Sequence, residues 1–172
     1  MMKRRYGWVS LVLIAVVIGC SSYRVSHDYD TGADLAALRT YTWMASLEEA
    51  PRSAEEEAER NTLIDTRVKN AVDAQLAAKG LRRDPKSPDF LIAYQISTKD
   101  KVRVKNYTFV SDKRLQTYEE GTLVLDFVAP NGKDLLWRGV AQRTLDSHPT
   151  PEKTDKSING AVEEILKGFP PK

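Results

Sequence analysis

What the chain lacks narrows it first. Its 172 residues include one cysteine, Cys20, and two histidines, His27 and His148. One cysteine excludes an intramolecular disulfide, and with it a small disulfide-stapled scaffold. Metal sites built on several thiolates go the same way. Nucleophilic catalysis needs a base beside the nucleophile, and two imidazoles leave little to build one from. Neither Gly-x-Ser-x-Gly, Ser-x-x-Lys nor His-Glu-x-x-His occurs. An excess of one charge is missing too. There are 26 Lys and Arg against 24 Asp and Glu, and Lys3, Arg4 and Arg5 precede residue 20, where no acid lies. Beyond residue 19 the count is 23 against 24, a net of −1 that gives no electrostatic footprint for nucleic acid.

A long apolar run is also lacking. The best stretch, residues 8–18, is interrupted by Ser10, and as a helix it reaches only about 16 Å against a hydrocarbon core of about 30 Å. Behind Lys3, Arg4 and Arg5 it reads as a secretory signal and not as a span. It ends in Val17-Ile18-Gly19-Cys20, with no A-x-A cleavage site in view. An aliphatic residue, then a small one, then cysteine resembles the lipobox of bacterial lipoproteins. In that class the cysteine thiol is lipidated, the chain is cut before it, and the new amine is acylated, typically with palmitate. The resemblance implies a signal peptide over residues 1–19, lipidation at Cys20 and one periplasmic domain over 20–172. Ser21, in place of aspartate, follows the class tendency for outer-membrane sorting. Two or more acyl chains hold a protein on a bilayer stably, each buried methylene contributing about 0.8 kcal/mol.

The 153 residues left after removing 1–19 suit one domain. Tyr23, Val25, His27 and Tyr29 alternate, as do Tyr41 and Trp43, so two strands are expected there, separated by an Asp30-Thr31-Gly32 turn. Residues 46–60, rich in glutamate, predict a solvated loop or frayed helical entry, with an acidic partner-docking arm as the sharper reading. Ile64, Val68, Val72 and Leu76 mark a helix over 61–79, with Asn61 as its N-cap and Gly80 as its stop. The near-continuous apolar run 90–94 predicts a central strand buried on both faces. Asn131-Gly132, between strands over 121–128 and 135–141, predicts a hairpin with a type I′ turn. Thr150-Pro151 opens a last helix, whose apolar face is Ile158, Ala161, Val162, Ile165, Leu166 and Phe169. The expected fold class is α+β: a two-layer sandwich of about five largely antiparallel or mixed strands, with two amphipathic helices on one face.

Several stretches together carry a resemblance that spans the mature chain. They are the lipobox, Asp28-Tyr29-Asp30, Thr40-Tyr41-Thr42-Trp43, Ile64-Asp65-Thr66-Arg67-Val68, Leu76-Ala77-Ala78-Lys79-Gly80-Leu81, Asp89-Phe90-Leu91-Ile92-Ala93-Tyr94, Gly121-Thr122-Leu123, Leu136-Trp137-Arg138-Gly139 and Phe169-Pro170-Pro171. In this order they resemble the bacterial lipoprotein family catalogued as domain of unknown function four-one-three-six. The resemblance implies a lipid-anchored, periplasm-facing α+β domain without established chemistry.

Three constellations remain. Lys99, Lys101, Arg103 and Lys105 share one face at period two. They read as charges guarding a strand edge, or as a docking face for anionic lipid, glycan or an acidic envelope protein. Asp126 and Arg138 fall on the two strands of the hairpin as a cross-strand ion pair. With Trp137 they are the sharper candidate for a ligand site. His27, Asp28, Asp30 and Asp34 are the nearest approach to a metal cluster, yet from Asp28 the EF-hand spacing fails at its glycine and its glutamate. The expectation is a non-enzymatic outer-membrane lipoprotein, without cofactor or metal, that binds a partner or supports envelope assembly. The alternative is a periplasmic small-ligand or lipid carrier with a cavity lined by Tyr94, Phe127 and Trp137.

Overall fold

The computed structural model describes residues 23–44, 55–106 and 113–171, with side chains except at 55–61, 103–106 and 113–116. The signal, Cys20, most of the acidic stretch and the candidate ribbon residues Tyr107 and Phe109 lie outside the described residues. In chain order come β1 (Arg24–Tyr29), β2 (Thr40–Trp43), α1 (Glu55–Ala78), β3 (Arg82–Arg83), β4 (Phe90–Asn106), β5 (Lys113–Val128), β6 (Leu135–Thr144) and α2 (Pro151–Leu166). The described strands form a six-stranded mixed sheet in the order β1-β6-β5-β4-β2-β3. Strand β2 runs parallel to β3 and β4, and the other neighbours are antiparallel. The expected α+β sandwich is present with six strands instead of about five. The extra one, β3, has two residues, too few to show any period.

Alternation decides which face is covered. Phe90 and Ile92 on β4, Leu123, Leu125 and Phe127 on β5, and Trp137 and Ala141 on β6 are buried against the helices. From α1 they meet Val68, Ala71, Val72 and Leu76, and from α2 Ile158, Ala161, Val162, Ile165 and Leu166. Phe169, just past α2, closes an aromatic cluster, with ring centroids 4.7 Å from Phe127 and 5.4 Å from Trp137. Among the described residues the buried core lies between residues 35 and 169, with Tyr23 and Val25 of the first strand packed against it. The run 90–94 is therefore not buried on both faces as its composition predicts. Leu91 and Ala93 point away from the helices and stay half-buried, because the described residues supply no second layer there.

The parallel β2–β4 pairing is pinned by one carboxylate. Asp89 accepts the backbone N–H of Arg39 and of Thr40, each at 2.8 Å. Its own N–H bonds back to the Thr40 carbonyl at 2.9 Å. The two donated N–H groups, Arg39 first, hold the Asp89 carboxyl below the ordinary carboxylate range.

Two local expectations need correcting. Helix α1 begins at Glu55, not at Asn61, so part of the acidic stretch is helical. Glutamate has good helix propensity and is favoured near a helix N-terminus, where it opposes the positive end of the dipole. The β5–β6 pairing is antiparallel as predicted, but its turn is not a two-residue type I′. Residues 129–134 form the loop. The Gly132 N–H donates to the Ala129 carbonyl at 2.8 Å, which places Pro130 second and Gly132 fourth in a β-turn, where those residues are favoured. Gly132 still has φ of +71° with open space around a notional Cβ. Gly132→Val is thus expected to cost about 1–3 kcal/mol through backbone strain alone. The urea midpoint measures it, and an unshifted midpoint would show that the turn tolerates another conformation.

Candidate binding surface

The most unusual feature is the length of β4 and β5 relative to their neighbours. Strand β2 pairs with β4 only at Phe90, Leu91 and Ile92. Strand β6 ends at Thr144 opposite Glu120, and the Leu145 N–H makes a last bond to the Glu119 carbonyl at 2.8 Å. Beyond that point residues 100–106 pair only with 113–119, in unbroken antiparallel register. Among the described residues this is a two-stranded ribbon standing clear of the sheet, about 23 Å long at roughly 3.3 Å per residue.

The ribbon carries the basic stripe. Phe90 and Ile92 face the helices, so Lys99 and Lys101 face the opposite way, and both are exposed. The backbone positions of Arg103 and Lys105 continue this alternation, opposite Gln116 and Arg114. Lys101 has a structural duty. Lys101 Nζ lies 3.7 Å from Glu120 Oε1, and Arg24 pairs with the same carboxylate. The Glu120 side chain is only 6% exposed, and a carboxylate buried so far needs its counter-charges. On the helix side of the strand, Val102 is 62% exposed.

The second constellation divides. Arg138 Nε and Nη2 donate to the two oxygens of Asp126 at 2.6 and 2.7 Å, a bidentate cross-strand pair on the uncovered face. The Arg138 guanidinium is raised above its usual pKa by this hydrogen bonding and by the Asp126 charge. Trp137 points through the sheet instead, fully buried against Phe127 and Phe169. Adjacent strand residues face opposite ways, so Trp137 cannot join Asp126 and Arg138 in one site.

The third constellation is likewise dispersed. His27 lies on the helix side, where its Nε2–H donates to the Ile165 carbonyl at 2.8 Å. Asp28 accepts the Tyr29 N–H at 3.0 Å, Asp30 the Gly32 N–H at 2.8 Å and Asp34 the Ala37 N–H at 3.2 Å. These are the local turn bonds that short carboxylates favour. His148 sits in the loop before α2, 3.0 Å from Ser147 Oγ.

Sequence reasoning missed two carboxylates of α1. Asp73 Oδ1 accepts the Tyr41 O–H at 2.8 Å and the Trp43 indole N–H at 3.1 Å. Asp65 accepts the Tyr94 O–H at 2.8 Å and pairs with Lys69 at 2.9 Å. Burial first, and then the neighbouring carboxylate, push both phenols well above their ordinary pKa. The signal was present: Asp65 and Asp73 each follow a residue of the Ile64–Val72 stripe, and Tyr41, Trp43 and Tyr94 bring polar tips to the sheet. These bonds seat α1 on β2 and β4.

Hollows are small. A groove between β5, β6 and α2, lined by Ile96, Leu123, Arg143, Leu145 and Ile158, holds about 90 Å³. An open hollow of about 210 Å³ lies by Tyr29, Asp34, Leu35 and Pro171. Small-molecule sites usually measure about 300–1,000 Å³. Tyr94, Phe127 and Trp137 line neither of them. Among the described residues no helix is long and apolar enough to cross a membrane.

Fold and surface together define an α+β domain with a projecting basic ribbon. Residues 25–171 match the family described as Domain of unknown function (DUF4136), and the chain belongs to that family. No curated protein matches it. Among solved structures it resembles a PDZ domain protein from Parabacteroides distasonis, with 15% identity and a TM-score of 0.52 over 88% of this chain and 36% of that one. The chain thus spans about a third of that protein's length, and the likeness is one of fold. A PelC dodecamer from Paraburkholderia phytofirmans matches with 10% identity and a TM-score of 0.43, over 84% of this chain and 94% of that one. A Helicobacter pylori protein described as a homolog of neuraminyllactose-binding hemagglutinin matches with 11% identity and a TM-score of 0.47, over 78% and 87%.

Proposed function

We propose that this chain is a lipid-anchored, periplasm-facing lipoprotein of the outer membrane whose domain is a non-catalytic binding module for an anionic envelope partner. The observation that carries this reading is the ribbon: exposed Lys99 stands at its root and exposed Lys101 on it, and residues 100–106 and 113–119 have no described third strand beside them. The projecting part of this strand pair, residues 100–106 and 113–119, adds no buried core residue among those described, so core packing does not explain its length. The closed aromatic core, with Phe127 and Trp137 fully buried, weighs against the carrier alternative, since a lipid or small ligand would need the space those rings fill.

The test compares residues 21–172 with a variant carrying Lys99→Gln, Arg103→Glu and Lys105→Glu, Lys99 being made neutral because it stands opposite Glu120 across the strands. Lys101 is left in place because it faces the buried Glu120 carboxylate. The wild-type domain is expected to co-sediment with phosphatidylglycerol vesicles at low salt. Binding should fade as the Debye length falls from about 10 Å at 0.1 M to about 3 Å at 1 M. The variant should stay folded and lose at least about tenfold in affinity, because each cation near an anionic surface is worth about 1 kcal/mol. Equal binding by both proteins across the salt range would place the working surface elsewhere.

A further inference from the structure

The strand register fixes where the chain from Cys20 enters the fold. Arg24 lies opposite Gln142, Gln142 opposite Thr122, and Thr122 opposite Ser97. Strand β1 followed backwards from Tyr29 to Arg24 runs in the same sense as β4 followed forwards. The chain therefore leaves the sheet toward Cys20 at the ribbon's root, heading the way the ribbon points.

Two lengths then compete. Arg24 lies four residue steps from Cys20, a reach of at most about 14 Å. From Ser97 to Asn106 the ribbon continues for about 30 Å in that direction, at roughly 3.3 Å per residue. With the anchor in a leaflet, the ribbon is longer than the gap it projects into. It meets the head groups unless the domain turns over on its tether.

Charge argues which posture prevails. Residues 100–106 and 113–119 hold Lys101, Arg103, Lys105, Lys113 and Arg114 against Asp100 and Glu119, a net of +3 in a chain whose net beyond residue 19 is −1. These cations lie on an element that projects from the same end of the sheet at which β1 begins, and an anionic leaflet attracts them within a Debye length. Val102, 62% exposed on the other face of the same ribbon, offers a position where a label reports the ribbon's depth without replacing a cation.

We infer that the β4–β5 ribbon docks on the anionic head groups of the same leaflet that holds the Cys20 acyl chains, giving the domain a second foothold. This names the partner within the proposed function and rests on Cys20 being lipidated. The two footholds sit at one end of the sheet and leave the β5–β6 loop pointing away from the bilayer.

The test uses the full chain, processed and lipidated in cells, then reconstituted into phosphatidylcholine vesicles with or without phosphatidylglycerol. Val102→Cys is labelled with bimane, a unique site because the Cys20 thiol is consumed in its thioether and no other cysteine exists. Lys133→Cys, in the exposed loop at the opposite end of the sheet, is the reference. Head-group spin-labelled lipid is expected to quench the label at residue 102 several-fold more than that at 133. The excess should appear only with phosphatidylglycerol and should vanish when Lys99 is glutamine and Arg103 and Lys105 are glutamate. Equal quenching at the two positions, or indifference to the anionic lipid, would overturn the docking while leaving solution binding by the ribbon intact. An intact mass without acyl chains would overturn it at its premise.

Discussion

Gly139→Val is expected to cost at least about 3 kcal/mol, near or beyond the upper end of ordinary overpacking penalties. Gly139 lies on β6 facing the helices. A Cβ there would stand 2.5 Å from the Trp137 ring and closer still to Ile165 Cγ2. Neither neighbour can move aside cheaply. Ile165 is fully buried on α2, and Trp137 is locked between Phe127 and Phe169 at centroid distances of 4.9 and 5.4 Å. The glycine thus sets how closely α2 approaches the sheet, and a branched side chain would lift the helix from the aromatic cluster. Domains of this kind have about 5–15 kcal/mol in total, so a large share of stability is at stake. The measurement is a urea melt, with near-ultraviolet circular dichroism reporting Trp137. A variant within about 1 kcal/mol of wild type would mean that α2 can be seated elsewhere.

Gly139 also shows where sequence reading stops. Helix α2 was legible because Ile158, Ala161, Val162, Ile165 and Leu166 repeat at helical spacing and Thr150-Pro151 marks the start. The structure bears this out, with the Thr150 side chain accepting the Lys153 N–H at 3.3 Å. That a glycine two residues after Trp137 is the seat for this helix depends on a contact across 26 residues, and no local pattern encodes it. The same holds for β3, whose two residues gain strand geometry only by pairing with Thr40 and Tyr41. The basic stripe was legible as a period-two array on one face of a strand. Its setting was not. Whether Lys99 begins an ordinary edge or a free-standing ribbon depends on where β2 and β6 end, and those ends are set by partners far away in the chain. The candidate grouping of Asp126, Trp137 and Arg138 failed on strand geometry itself: neighbours in sequence face opposite sides, so the ion pair formed and the tryptophan went to the core.

Cys20→Ala is expected to abolish lipidation outright while leaving the domain's stability unchanged. The chain has no second cysteine, so no other side chain can carry the thioether, and the lipobox resemblance implies that cleavage before residue 20 waits on that modification. The variant should therefore accumulate as a precursor that keeps residues 1–19. Its apolar stretch spans only about half of the hydrocarbon core at roughly 1.5 Å per residue, so attachment to the membrane should be weaker than through several acyl chains. An unchanged midpoint is expected because, among the described residues, core packing starts at Tyr23 and full burial at Leu35. Radiolabelled palmitate incorporation and intact mass read the first effect, and denaturant midpoints of the two purified proteins read the second. Undiminished label in the variant would sink the lipoprotein reading. Lost label with a shifted midpoint would show that the residues before β1 contribute to the fold as well as to its address.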